Sequence, residues 1–472
     1  MKKLIAILLV LTMVLGLCAC QGSGSEGKEE TMEGLNVGYA RASILPEGQV
    51  PMGGYGNSAN RISTGYLDIP YATCVAFTEG ENTVLMISTD LLRSNTDWTN
   101  EAREKINAAT GVLADHIMIA ATHTHSSPDI NSSDARIVAF KEVYMNAMVT
   151  AATEALADRA PTAMYTARVE TEGMNFVRHY LLSDGTYGGD NFGDFTNNTI
   201  VDHATEGDHE MILVKMDREG EDKKDIMLMN FQAHPCFTGG SKETNISADF
   251  IGSTRDAFEK ETGMQFIYFT GAAGDQNATS RIPEEKHSMS NQEYGAALAQ
   301  YAIDAMANME KIEGTGIKTT QMMYDYPTHC EDQDKLVQAK EVSELFSKTG
   351  DTTTANALAK QYGFHSVYHA RGVVNSAGRP ASGTMELNAV YVAGLAFITA
   401  PYEMFSDTAR FLKENSPFET TIVCSCTTNM VSYFPTRAAY DYGCYESFTA
   451  YFAKGCAEDS ADQMISMLKG LQ

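Results

Sequence analysis

Positive charge is what this sequence has least of. Its 472 residues carry 35 Lys and Arg against 61 Asp and Glu, a formal charge of −26. Such a surface disfavours nucleic acid and other polyanions and leaves neutral or cationic ligands, or serves only to keep an exported protein soluble. No C-x-x-C pair occurs. Two of the nine cysteines precede residue 21, and the rest, Cys74, Cys236, Cys330, Cys424, Cys426, Cys444 and Cys456, follow no disulfide framework or metal-clip spacing. The glycine-rich run Pro51-Met52-Gly53-Gly54-Tyr55-Gly56 is followed by no Gly-Lys-Ser/Thr and opens no G-x-G-x-x-G helix, which excludes a phosphate loop. There is no internal repeat and no composition break after residue 35. A hydrophobic content of 43% suffices for a full core. These features predict one large α/β domain over 35–472, with mixed β-sheets flanked by helices.

The N-terminus reads as an export signal at 1–19. Lys2-Lys3 lead into an apolar stretch at 4–17, too short for a comfortable bilayer span. Leu17-Cys18-Ala19-Cys20 resembles a bacterial lipobox cleaved before Cys20, whose thiol would carry the lipid. The Gly-, Ser- and Glu-rich segment 20–34 then serves as a flexible tether to the outer face of the cell membrane. An ordinary secretory leader is the alternative.

The central stretch is Ala121-Thr122-His123-Thr124-His125-Ser126-Ser127-Pro128-Asp129, which follows an apolar run at 116–120 and ends in turn chemistry. Two histidines one residue apart on extended chain project to the same side. A lone His-x-His fits a metal ligand with a second imidazole beside it, or equally a turn cap and a hydrogen-bonded ring. Elsewhere the pattern predicts strands at 71–77, 83–89, 211–216, 226–233, 266–270, 385–397 and 421–430. It predicts helices at 97–110, 140–157, 250–261, 291–310, 332–362, 405–412 and 460–468. Ser247-Ala248-Asp249 is expected to cap the helix at 250–261. The Gly-, Asn- and Asp-rich segment 172–197, which holds Arg178, reads as loop.

His123, His234 and Glu403 each stand just past an apolar strand. Open α/β sheets bind ligands at the carboxyl ends of their strands, so the three could converge there. Two imidazoles, a carboxylate and an open position suit a hydrolytic zinc ion, which acidifies water and polarises a carbonyl. A metallo-β-lactamase-like His-x-His-x-Asp-His is absent. An amidohydrolase barrel would carry its His-x-His on the first strand, whereas at least two strands precede it here.

The residues resemble the neutral (non-lysosomal) ceramidases. Ala121-Thr122-His123-Thr124-His125-Ser126-Ser127-Pro128 is close to that family's A-T-H-T-H-S-G-P. Ala233-His234, Ile246-Ser247-Ala248-Asp249, Gly274-Asp275, Glu403, Tyr433 and Tyr445-Glu446 follow in the family's order. The resemblance implies one Zn2+ held by His123, His234, Glu403 and Tyr433. His125 would be the proton shuttle, Tyr445 a donor to the developing oxyanion, and Arg178 a loop arginine near the reacting amide. Without the family, Tyr433 reads as a core tyrosine and Arg178 as structural. Two departures stand out. Asn277 occupies the place of the family's serine in Gly-Asp-x-Ser, which argues against a covalent serine route and leaves attack by metal-bound water. Only 27 residues follow Tyr445, where the family carries a further β-sandwich domain.

The expected activity is a zinc-dependent hydrolase cleaving an amide in a small-molecule or lipid N-acyl substrate. Alternatives are another exported ester or amide, such as an acylated glycan, or a ligand-binding lipoprotein without catalysis.

Overall fold

The computed structural model describes residues 32–55 and 60–472. The predicted leader at 1–19, Cys20, most of the 20–34 tether and Gly56 lie outside the described residues. The larger sheet is built from β1 (Met32–Ser43), β2 (Tyr71–Gly80), β3 (Asn82–Thr89), β4 (Ile117–Ala121), β5 (Ala160–Glu170), β6 (Glu210–Arg218), β7 (Ile226–Phe231) and β8 (Gln265–Thr270). Its order is β8-β7-β6-β5-β1-β2-β3-β4, with the short strand Glu310–Lys311 added beside β5. Only the end pairs, β7–β8 and β3–β4, are parallel. A second sheet runs β9 (Ile317–Pro327), β10 (Ser382–Val392), β11 (Leu395–Thr399), β12 (Thr420–Cys424). The β10–β11 hairpin turns through Ala393 and Gly394, both at positive φ, as tight two-residue turns require.

The strands sort their side chains by the two-residue period of extended chain. On β2, Cys74 and Ala76 face helices while Val75 and Phe77 face the second sheet; on β4, Ile117 and Ile119 divide from Met118 and Ala120 in the same way. The helix side is covered by α1 (Thr96–Thr110) and α2 (Ala135–Ala157), through Trp98, Ile106, Phe140 and Tyr144. Its other half is covered by α3 (Asp249–Thr262) and α4 (Asn291–Ala305), through Phe250, Phe258, Tyr294 and Leu298. The opposite face meets Val390, Val392, Leu395, Phe397 and Ile422 of the second sheet. Helices Ser406–Asn415 and Cys456–Gly470 close the back of that sheet. The result is a helix–sheet–sheet–helix sandwich, in which each buried aliphatic or aromatic side chain contributes about 1.5–3 kcal/mol. Among the described residues no helix is long and apolar enough to cross a membrane.

Two long strands escape the sequence pattern. β5 and β9 mix a few buried positions with half-buried and exposed ones, so neither carries a continuous apolar run. The polar helix expected at 332–362 breaks in two at Gly350, which takes the left-handed conformation; Asp351 then caps the next helix through Thr353 N–H and Thr354 N–H. The pieces α5 (Leu336–Thr349), α6 (Thr352–Gln361) and α7 (Val367–Ser376) form a satellite cluster with its own small core. Segment 172–197 contains the short strands Phe176–Val177, His179–Leu182 and Tyr187–Gly189. The last predicted strand stops at Cys424, because Cys426 and Thr428 adopt positive φ.

Strand ends from both sheets meet at one place. Thr122 N–H donates to Thr89 O at 2.9 Å, the Thr270 hydroxyl to Thr122 O at 2.9 Å, and Ser425 N–H to Thr270 O at 2.9 Å. The carboxyl ends of β3, β4, β8 and β12 are thus stitched together, and the loops leaving them share one pocket.

Candidate active site

β4 ends at Ala121, and the chain turns sharply at His123, whose φ is 69°. A non-glycine residue there costs about 1 kcal/mol or more and persists only where its surroundings hold it. His123 N–H donates to Leu91 O, and its ring Nδ1 lies 2.8 Å from Leu92 O. Thr124 turns away, its hydroxyl donating to Ser247 O at 2.7 Å. His125 returns to the pocket, its ring centroid 5.0 Å from that of His123 and nearly perpendicular to it. The expected same-side placement therefore holds, although a left-handed turn rather than extended strand produces it.

His234 follows β7. Its N–H donates to Gln276 O, and its Nδ1 lies 2.6 Å from Ala273 O. Glu403 is carried by a two-residue strand paired with Tyr433-Phe434. Gly274 passes so close that a Cβ there would lie 2.6 Å from Glu403 O, so only glycine lets the 271–277 loop support the glutamate. Together these contacts bring three atoms into a triangle. His123 Nε2 and His234 Nε2 are 3.1 Å apart, and Glu403 Oε2 lies 3.2 Å from the first and 3.3 Å from the second.

Carbonyl oxygens can only accept, so each Nδ1 carries a proton, and in the neutral rings each Nε2 presents a lone pair to the other. Glu403 Oε2 is buried among them without a well-formed hydrogen bond. Burial works against a second proton on His123, but the Glu403 carboxylate outweighs it and pushes the pKa up to about 10. At His234, burial, with the Arg178 charge behind it, lowers the pKa to about 4. Burial raises Glu403, and the two imidazoles outweigh it, leaving it well below the usual carboxylate range. The cluster is built to take one positive charge at its centre. Tetrahedral ligands about 2.0–2.1 Å from zinc lie about 3.3–3.4 Å from one another, close to the edges of this triangle. Nδ1 held by a backbone carbonyl is the usual way a ligating histidine is oriented. The donor set fits a metal ion. Ring nitrogens of His123, His125 and His234 also lie within 4.8 Å of one another, but Glu403 Oε2 closes the tighter triangle.

The remaining predicted residues ring this centre. His125 Nδ1 faces Gly54 O at 3.2 Å, so its Nε2, buried and without a partner, is the bare nitrogen; burial holds the ring's pKa well below its ordinary value. Tyr433 lies beside Glu403, its ring centroid 6.5 Å from that of His234 and 5.9 Å from that of Tyr445. Burial pushes the Tyr445 phenol up to about 12, with Glu446 adding to the effect, so it keeps its proton. Arg178 is buried beneath them. Its Nε and a terminal nitrogen reach Glu446 Oε1 at 2.8 and 2.6 Å, the terminal nitrogen also donates to Gly274 O, and the guanidinium lies over the Tyr433 ring.

Several members of the site had no assigned role from sequence. Glu446 grips Arg178 with one oxygen and His179 Nε2 with the other at 2.7 Å; His179 Nδ1 in turn meets the Tyr442 hydroxyl at 2.8 Å. His179, Cys444 and Glu446 form a second group with metal-ligating atoms close together. Both carboxylate oxygens there are already committed, and Arg178 supplies the positive charge. Tyr55 stands edge-on to His125 at 5.2 Å. The Tyr-Glu pair and the Arg-His pair were adjacent in sequence to predicted residues, which was the available signal; for Tyr55 there was none. Asp249 begins its helix at φ 57°, its carboxylate accepting from Thr238 N–H and hydroxyl as well as Phe250 N–H. It thus ties the His234 loop to the helix more than it caps it.

No protein-family model and no curated protein sequence matches this chain. Solved structures do. A neutral ceramidase from Pseudomonas aeruginosa superposes with a TM-score of 0.70 at 16% identity, covering 93% of this chain and 75% of that one. A ceramidase complexed with C2 superposes with a TM-score of 0.69 at 16% identity, over the same shares of each chain. At this identity the likeness establishes the fold: the described residues adopt that of the neutral ceramidases.

Proposed function

We propose that this protein is a zinc-dependent hydrolase that cleaves the amide bond of an N-acyl compound. The observation that carries the reading is the triangle of two Nε2 lone pairs and an ionised carboxylate oxygen. Each ring is locked by a backbone carbonyl, and the centre is arranged to hold a single positive charge. His123, His234 and Glu403, with Tyr433 alongside, would hold the ion. When bound, zinc supplies a Lewis acid that lowers the pKa of water and polarises a carbonyl.

The chain's own groups supply the rest. His125 Nε2, bare and facing the pocket, accepts the proton of the attacking water and returns it to the departing amine nitrogen. The Tyr445 hydroxyl, protonated at neutral pH, donates to the oxygen that becomes negative as the carbonyl carbon turns tetrahedral. Arg178 adds fixed positive charge at the pocket floor, and Glu446 holds its guanidinium in place. Asn277, where the resembled family has serine, hydrogen-bonds to Arg178 at 3.3 Å and has no nucleophilic atom. The lipobox supports a further reading: the protein is lipidated on Cys20 and works at the outer face of the cell membrane.

Metal analysis of the purified protein together with hydrolysis of N-acyl amides is the test. One zinc per chain, lost with activity in His123→Ala, is expected. Absence of bound metal, or undiminished turnover in that variant, overturns the reading. Labelled palmitate incorporated into the parent and not into Cys20→Ser checks the anchor.

A further inference from the structure

The cavity over the metal triangle is small and its lining mixes aromatic rings with polar groups. Its volume is about 330 Å3, at the low end of the range for small-molecule pockets. Its aromatic lining is Tyr55, Phe237, Tyr433 and Tyr445. Its polar lining belongs to a chain of hydrogen bonds, a polar rail that starts at Arg178. Arg178 donates to Asn277 Oδ1 at 3.3 Å, Asn277 Nδ2 donates to Asp190 Oδ2 at 2.9 Å, and Arg281 donates to Asp190 Oδ1 at 3.0 Å. Asn277 and Asp190 line the cavity, with Asn191 and Thr279 beside them. The rail is held by the fold: Asn277 pairs with Phe176 across a short ladder, and its neighbour Gln276 fastens His234 through the backbone.

This arrangement bears on the substrate. Each carboxylate oxygen of Asp190 receives one hydrogen bond and has acceptor capacity left, and Asn277 Nδ2 has a second N–H. An alkyl chain laid along the rail would strip water from an ion pair and an amide and give nothing back. Hydroxyl groups would replace that water. Aromatic rings beside hydrogen-bonding groups accept a ring with an apolar face and hydroxyls on its edge. A cavity of this volume would enclose only a small part of two long chains.

Resting on the hydrolase reading, we propose that the substrate is compact and hydroxyl-rich, of the N-acylated amino-sugar class, and that Asp190 with Asn277 determines this choice. Hydrolysis adds water across the amide and releases a short carboxylic acid and the free amino sugar.

The experiment compares three amides on the zinc-loaded protein: N-acetylglucosamine, N-acetylcyclohexylamine as the same ring without hydroxyls, and a long-chain N-acyl sphingoid. The expected order of kcat/KM places the sugar first, by at least about tenfold, since sites built to bond hydroxyls reject analogues lacking them strongly. Asp190→Ala should lower the sugar-to-cyclohexyl ratio at least tenfold, chiefly through KM, with Asp190→Asn in between. Binding of the two ring amides to the metal-free protein, followed by ligand-observed NMR, should show the same preference without turnover. A higher kcat/KM for the sphingoid, or a ratio unmoved by Asp190→Ala, overturns this inference and leaves the hydrolase reading standing. Turnover of no amide at all overturns both.

Discussion

His123 Nε2 and His234 Nε2 face each other at 3.1 Å while both Nδ1 atoms serve backbone carbonyls, and without a metal the charge between them is the proton that Glu403 holds on His123. Two lone pairs at that distance repel unless a positive charge lies between them. Zinc binding should therefore stabilise the fold. At a free concentration a hundred times its dissociation constant, it should add about 2.7 kcal/mol. Scanning calorimetry should show the transition rising with zinc and falling with chelator; an unmoved transition counts against a metal site.

His125→Ala and Tyr445→Phe should separate chemistry from metal binding. Both side chains line the cavity and stand outside the ligand triangle. The first should lower kcat about 10^2–10^4-fold by removing the proton shuttle, and the second about 10^2–10^3-fold by removing an oxyanion donor. Zinc stoichiometry should stay at that of the parent in each. Loss of zinc in either would reassign that residue to the ligand set.

Gly274→Ala should injure the site through the backbone alone. The added Cβ would meet Glu403 O at 2.6 Å and Met404 O at 2.7 Å, and main-chain oxygens cannot swing aside as side chains do. A stability loss of about 1–3 kcal/mol is expected, with zinc affinity weakened about 10–100-fold, the range for disturbing a ligand's support. Competition titration with a chromogenic chelator reads the second effect, and parent-like affinity would contradict it.

Glu446→Gln should leave Arg178 as a buried cation without its counter-charge. Removing one partner of such a pair costs about 3–5 kcal/mol, measurable in urea. The cost should be larger than that of Arg136→Ala, whose partner Asp134 is on the surface. Equal stability of the two variants would mean that Gly274 O and Asn277 alone suffice to hold the guanidinium.

Asp275 provides a pH-dependent check. Burial raises its pKa from 3.8 to about 6, although Ser406 N–H and hydroxyl both donate to it and His179 pulls the other way. The folded chain binds this proton more tightly than the unfolded one, so ionised Asp275 costs roughly 3 kcal/mol above pH 6. The cost fades as pH falls through 6 towards 3.8. Asp275→Asn should be more stable than the parent near neutrality, with the difference shrinking to nothing by about pH 4. A difference independent of pH between those limits would sink the assignment.

The ordered motifs carried much of this protein in one dimension. Runs such as Ile117-Met118-Ile119-Ala120 announce buried strands because their side chains must divide between two apolar faces. Histidines placed just after such runs sit at strand ends because the runs stop there. The identities of His123, His125, His234, Glu403, Tyr433, Tyr445 and Arg178 were legible in this way or through the family likeness, and the structure gathers all of them around one cavity. Strands β5 and β9 were not legible, because half-exposed strands lack the continuous apolar run that marks a core element. Nor could the sequence say that Glu446 would bind Arg178, that Gly274 would leave room for Glu403, or that Asp190 would line the cavity. Those pairings join residues between 87 and 268 positions apart. Local order decides which face a side chain takes. Only closure of the two sheets decides which distant side chains it meets, since their contact energies depend on distances that no short stretch of chain specifies.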